Sequence, residues 1–509
     1  MQLKKSFISA GTALLSGVFL YLACNKKHLE IPPPTQSEAS FFTSENEFRT
    51  AVLGIYAGIT DYYSASNSGG GSGSAELESF YLPGDDLTLT VNSSFEFFRG
   101  LTPSNGKLNE IWKSSYIIIG RANKVLEKVR AVEGGVFTTP GLKEANEGEA
   151  LFLRSFAHFM LWNLFGTAPV DTIVVTTPSQ FNIPSSSGVQ LLDQVITDLT
   201  HAAALLPTTP WDNNNTGRVT AKSAYALLGK AYLFRANATG NAADYQAAVT
   251  AFDQVTGASL LADFGNNFTI DNENNEESLF EFQAGRNIIA TDQNAWLGND
   301  VCDCGVTGAY YQMFYDGDGT YMASGKFQPT QKLIAAFDPA DPRLPFTMVP
   351  DEQRITKYIV NGDVKDGSVL SLINNRIIRY ADVLLMKAEA VLQSNGDPAT
   401  AIGLVNQVRT RARNMVTGGL VPADLSTAET NKTTIMQWIM DERFRELAAE
   451  GHRWFDLRRW HIAGFINLNN AFFSSSNDAD MSFDEHYLYF PIPTNETDVN
   501  PNIVQNDGY

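Results

Sequence analysis

The stretch DERFRELAAEGHRWFDLRRW, residues 441–460, gathers acids, arginines, a histidine and aromatics into one short run. Side chains of these types could do acid–base chemistry. That requires carboxylates whose pKa values are pushed apart inside a cleft. The spacing favours a different use. Ile435, Ile439 and Leu447 recur on one helical face, with Phe444 nearby. Glu442 and Glu446 stand one turn apart, as do Asp441 and Arg445, so the charges can support the helix and pair across it. Gly451 fits a helix C-terminus. A second short helix then sets Arg453, Asp456, Arg458 and Arg459 among Trp454, Phe455, Leu457 and Trp460. The pattern predicts an ion network fastening two helices, the tryptophans filling gaps, with no catalytic residue.

Other chemical signatures are weak. The chain holds no H-E-x-x-H, no G-x-x-x-x-G-K-[ST] and no G-x-S-x-G. Asp316 and Asp318, in DGDGTY, could belong to a calcium loop, but the spaced ligands and distal Glu of an EF-hand are missing, and a plain turn explains them as well. Cys302 and Cys304 make a cramped disulfide or half a zinc site, with no His close by in sequence. We therefore expect no cofactor and no metal. A formal charge of -19 repels phosphate backbones and argues against nucleic acid as a partner.

The elements that must carry any site are helical. In residues 217–256, Ala224, Leu227, Leu228, Ala231 and Tyr232 form one apolar face. Leu228, Gly229 and Tyr232, then Ala248 and Phe252, match the two halves of a tetratricopeptide repeat. The small residues let the helices approach closely. Residues 378–412 give a second pair, with Gly396 after the first helix and Asp397 and Pro398 opening the next. Residues 148–166 with 188–207, and 45–60 with 108–129, supply two more. Such a pair buries its apolar face only by stacking on neighbours, so the fold class is mainly α, a tetratricopeptide-like superhelix of helical pairs. Residues 64–76 read as a flexible insertion. Residues 261–375 show little helical period but many aromatics, Asn, Asp and Gly, a composition of functional loops.

The chain opens MQLKKSFISAGTALLSGVFLYLAC. Lys4 and Lys5 precede an apolar run at 7–23 that falls short of the ~20 residues of a spanning helix, so residues 1–23 read as an export signal. Cys24 then resembles a lipobox cysteine, which would carry acyl chains and anchor the protein without spanning the bilayer. Lys26 and Lys27 follow it.

The ordered set LEIPPPT (29–35), ASFFTSENEF (39–48), YIIIGRAN (116–123), GEALFLRSFAHFMLWNLFGTAPV (148–170), IRYADVLLMKAEA (378–390), ERFRELAAEGHRWFDLRRW (442–460) and the closing YLYFPIPTNETDVNPNIVQNDGY (487–509) resembles the SusD/RagB family. The resemblance covers nearly the whole mature chain. It implies an outer-membrane lipoprotein facing the cell exterior, with a loop-rich ligand-binding subdomain. Its partner would be a SusC-like TonB-dependent porin, and it would bind oligosaccharides without catalysing a reaction. Some members favour peptides. The implied division is signal peptide 1–23, helical repeats 24–270, ligand-binding loops 271–375, and helical repeats with the closing segment 376–509. The lysines after Cys24 depart from the acidic residues often found there in surface lipoproteins, leaving the membrane face open.

Sugars offer apolar C–H faces to aromatic rings and hydroxyls to Asn, Asp or Arg. Two stretches combine both, VNSSFEFFRG (91–100) and NAWLGNDVCDCGVTGAYYQMFYDGDGTY (294–321). The expected ligand contacts are Asn92, Phe97, Phe98, Trp296, Tyr310, Tyr311 and Tyr315. Phe97, Phe98, Tyr310 and Phe314 are equally readable as core. Trp296 and Tyr311, among Asn and Gly, are the best exposed candidates. Two other functions compete. A peptide binder would use charged pockets in place of an aromatic platform. A hydrolase would need two facing carboxylates in a cleft.

Overall fold

The computed structural model describes residues 41–63, 75–89, 93–213, 215–284, 314, 327–358, 373–474 and 481–509. Several of its helices begin where the sequence supplies side-chain caps. Ser44 and Glu47 form a capping box at α1 (Glu45–Ala57). The Asn105 carboxamide accepts from Lys107 and Leu108 at α2 (Gly106–Ala131). Then follow α3 (Leu142–Phe165), α4 (Gln190–Leu205), α5 (Ala221–Thr239) and α6 (Ala242–Asp253). The C-terminal helices are α7 (Tyr380–Gln393), α8 (Pro398–Asn414), α9 (Lys432–Glu446) and α10 (Arg453–Ile462).

All four expected pairs form. α1 packs on α2, α3 on α4, α5 on α6 and α7 on α8, and each pair stacks on the next in sequence. The chain is mainly α. Helix α3 is buried on every side from Gly148 to Phe165, which marks it as the spine of the N-terminal part. Two glycines on these pairs are steric requirements. A Cβ on Gly229 would sit 2.5 Å from the Phe252 ring, and one on Gly148 would sit 2.9 Å from Leu206. Asp397 caps α8 with Pro398 at its first position, as the sequence requires.

Between α6 and α7 the chain is less irregular than its composition suggests. It contributes β2 (Ser278–Phe282), which pairs antiparallel with β6 (Asn375–Arg379) immediately before α7. Two further ribbons join β1 (Leu87–Leu89) to β3 (Phe327–Pro329) and β4 (Met348–Val349) to β5 (Arg354–Ile355). All five residues of β2 and of β6 are buried. A strand covered on both faces shows no alternation, so periodicity does not reveal it.

Helix α9 ends at Glu446, five residues before Gly451. Ala449 (φ 58°) and Gly451 (φ 76°) shape the turn into α10 instead. The early stop has a clear cause. The Lys357 ammonium donates to the carbonyls of Glu446 (3.1 Å) and Ala448 (2.8 Å), and the Arg379 guanidinium donates to that of Glu446 (2.8 Å). Buried cations thus take the carbonyls that the helix leaves unpaired.

Candidate functional site

The charged stretch at 441–460 lies inside the protein. Glu446 is fully buried and accepts from three arginines: Arg343 (2.8 Å), Arg379 (2.6 Å) and Arg411. Arg343 also reaches Glu442 (2.6 Å). Arg379 continues to Glu277 (2.7 Å) on the entry to β2 and to Glu450 (2.7 Å) beyond α9, where Lys357 joins it (2.6 Å). A second arm runs from Asp382 on α7 through Arg443 (2.8 Å) to Asp456 on α10 (2.8 Å). Arg459 links Asp456 (2.9 Å) to Glu389 (2.9 Å), which also takes the Trp460 indole N–H (3.0 Å).

These contacts leave the stretch no acid–base chemistry. Burial disfavours the ionised carboxylates, yet the surrounding guanidinium groups hold Glu446 far below the usual carboxylate range and Glu442 down to about 2. Both stay ionised and inaccessible. Two details differ from the expected pairing. Asp441 accepts from Gln437 (2.7 Å), while Arg445 turns to Glu442 (3.2 Å). Arg458 meets no carboxylate among the described residues. It donates to the side-chain carboxamide oxygen of Asn163 (2.8 Å) and lies 4.9 Å from both the Trp162 and Tyr489 rings, and burial lowers its pKa to about 10.

The network extends to the places where the aromatic segments begin. Arg453 on α10 binds Asp85 (3.0 Å), which also pairs with Lys332 (2.5 Å). Thr330 ties the strand ends together, its hydroxyl donating to the Asp85 carbonyl (2.7 Å) and its N–H to that of Asp86 (3.0 Å). Leu87 faces Pro329, and Leu89 faces Phe327. Leu89 is the last described residue before the 91–100 stretch, and Phe327 is the first described residue after the 294–321 stretch, of which Phe314 alone is described. The β1–β3 ribbon therefore brings the roots of both candidate segments side by side. Nothing in their sequence separation of over 200 residues announces this.

The first segment is firmly held where it is described. Glu96 is buried and accepts from the Thr88 hydroxyl and the Leu89 N–H (3.0 Å), so it closes the segment back onto β1. Phe98 corrects the sequence reading. Its backbone is left-handed (φ 51°), which turns the ring inward against Trp454, Phe473 and Phe483 at 5.6, 5.0 and 5.1 Å. With 0 % exposure it offers no face to a sugar. Phe97 is only half-buried. In the second segment Phe314 is core, 5.8 Å from Tyr358 and 5.9 Å from Phe327. Cys24, Asn92, Trp296, Tyr310, Tyr311 and Tyr315 lie outside the described residues, as do Cys302, Cys304, Asp316 and Asp318.

The family model described as SusD family matches residues 353–509. A second, described as starch-binding associating with outer membrane, matches residues 81–233. A SusD-like protein of Formosa agariphila is 24% identical over 96% of this chain and 97% of its own length. The chain belongs to the SusD/RagB family. Among solved SusD structures, a homolog from Bacteroides thetaiotaomicron superposes with a TM-score of 0.77 at 21% identity, covering 93% of this chain and 99% of that one. A laminarin-binding SusD-like protein gives a TM-score of 0.70 at 25% identity, covering 92% and 100%. No helix among the described residues is long and apolar enough to cross a bilayer.

Sequence reasoning missed the acids and bases that complete the network, because Asp85, Glu277, Arg343, Arg379 and Arg411 lie far from 441–460 in sequence. It also missed Glu273, whose carboxylate accepts from the Asn374 N–H (2.7 Å) where β6 begins. Burial, with some repulsion from Glu281, pushes Glu273 up to about 7. An unfolded Glu titrates near ~4.3. The folded state therefore gains from the protonated form below that pH and loses the gain as pH rises through 7. Glu273→Gln keeps an acceptor without the charge. We expect it to leave stability unchanged at pH 4 to 5 and to raise it by on the order of 1–2 kcal/mol at pH 8, the group being partly solvated. Urea denaturation at both pH values measures this, and an unchanged pH slope would contradict it.

Proposed function

We propose that the protein is a non-enzymatic, cell-surface oligosaccharide-binding lipoprotein that delivers its ligand to a SusC-like TonB-dependent porin. One observation carries the reading: the pairing of Leu89 with Phe327, the described residues that flank the 91–100 and 294–321 aromatic stretches. Aromatic segments leading from one ribbon would suit a ligand with apolar C–H faces and many hydroxyls. The kinship supports the same ligand class, through a family model described as starch-binding and a laminarin-binding relative of the same fold. With Phe98 in the core, the proposed contacts are Trp296, Tyr310, Tyr311, Tyr315, Asn92 and Phe97.

Residues 1–23 are the proposed export signal and Cys24 the lipid-bearing residue, with residues 271–375 as the ligand-binding region. Two acyl signals hold a protein at a membrane where one chain binds marginally. Cys24→Ala should therefore move the protein from the membrane to the soluble fraction. The wild type should co-purify with a β-barrel porin from detergent-solubilised membranes. Unchanged membrane attachment of the variant would reject the anchor, and recovery of the wild type without any porin would reject the delivery role.

A further inference from the structure

A cleft elsewhere on the molecule belongs to neither the charge network nor the β1–β3 ribbon. It opens to solvent between the loop following α4 and strand β2, with a volume of about 120 Å³ lined by Trp211, Thr216, Gly217, Lys222, Asn275 and Glu281 among others.

Lys222 is the unusual residue. It sits half-buried in the first turn of α5, where the helix dipole disfavours a cation. No carboxylate among the described residues comes within ion-pair distance of it. Glu281 lines the same cleft but is taken up by Arg376 (3.0 Å) and by the side-chain amide of Asn374 (2.8 Å). Glu276 acts on Lys222 only at long range, and burial draws the lysine's pKa down. The cleft therefore holds a partly desolvated cation with no carboxylate at ion-pair distance among the described residues, in a protein of net charge -19.

Trp211 supplies the other half. Its indole N–H donates to the Val219 carbonyl (2.9 Å), and the Arg218 guanidinium lies 3.9 Å from the ring centroid. Arg218 itself is saturated by Glu149 (2.7 Å), Asn146 (3.1 Å) and Asn215 (2.8 Å), so the ring is held by a fixed group. Trp211 nonetheless stays only partly buried. A fixed indole meets the C–H face of a pyranose, and an ammonium meets an oxyanion.

We propose that this cleft binds an acidic sugar, a pyranose bearing a carboxylate or a sulfate, with the anion on the Lys222 ammonium and the ring against Trp211. The proposal shares no residue with the proposed oligosaccharide contacts. It is tested by calorimetric titration of the full chain with glucuronate, glucose 6-sulfate and glucose at low salt, repeated with Lys222→Met and Lys222→Arg. At least one acid should bind the wild type about tenfold or more tightly than glucose, with affinity falling as salt rises. Binding of glucuronate alone would identify a carboxylate sugar, and of the sulfate alone a sulfated one. Lys222→Met should lose that preference and Lys222→Arg should keep it, while both retain neutral-oligosaccharide binding and wild-type melting. Absence of acid-sugar binding by the wild type at millimolar concentration, or equal binding by Lys222→Met, would overturn the proposal. Absence of neutral-oligosaccharide binding by the wild type would count against the aromatic segments and not against this cleft.

Discussion

Glu446→Ala should lower the stability of the protein by about 3–5 kcal/mol, the usual loss when one member of a buried charge network is removed. The carboxylate is fully buried between Arg343, Arg379 and Arg411, with 2.8 Å and 2.6 Å contacts to the first two. Its loss leaves three guanidinium groups short of a counter-charge in a medium where they cannot be rehydrated. Glu442, Glu277 and Glu450 still neutralise part of that charge, which keeps the cost below that of an isolated buried ion. A total stability of ~5–15 kcal/mol makes the change severe without making it uniformly fatal. A large chain should melt several degrees lower, at roughly 2 °C or less per kcal/mol. The pH dependence follows in sign. Because the folded pKa of Glu446 lies far below that of an unfolded Glu at ~4.3, its contribution is complete above that pH and fades as pH falls. The gap between wild type and variant should narrow from about pH 4 downward. Thermal and denaturant melts over pH 3 to 7 measure it. An unchanged melting temperature at neutral pH would show that the network does not hold the helices together.

Much of this network was visible as a tendency and little of it as a structure. The helix pairs were legible because their apolar positions recur at three- and four-residue spacing and their caps are local, as at Asp397 and Pro398. The inward use of Glu442, Glu446, Arg453 and Asp456 was legible because they alternate with apolar and aromatic residues. Their partners were not, since Glu277 and Arg379 meet across 102 residues of chain. β6 hid for a related reason. Asn375, Arg376 and Arg379 look like surface residues, and only distant acids such as Glu281 allow them inside. Phe98 and Phe97 are adjacent and identical in type. A left-handed backbone at Phe98 decides which ring turns inward, and no local residue pattern encodes it.

Trp296→Ala should weaken ligand binding roughly 5- to 150-fold, the equivalent of on the order of 1–3 kcal/mol for a ring stacked on a sugar face. Trp296 stands in TDQNAWLGND, too polar and Gly-rich for a core helix or strand. Its segment returns to the fold through Phe314, a core ring, and through β3, whose partner β1 leads into the other aromatic stretch. The variant should melt with the wild type, as expected of a residue that serves binding and not packing. Calorimetry and melting on the same preparation separate the outcomes. Wild-type affinity would remove Trp296 from the site, and a large drop in melting temperature would make it a structural anchor.

The most direct test of the account is titration of the full wild-type chain with a panel of neutral oligosaccharides, α- and β-glucans included, and a matched panel of peptides, followed by mass analysis of the recovered ligand. The account predicts saturable binding of at least one oligosaccharide, recovered intact, and no comparable binding of peptides. Binding confined to peptides, or recovery of the saccharide in shortened form, would contradict it.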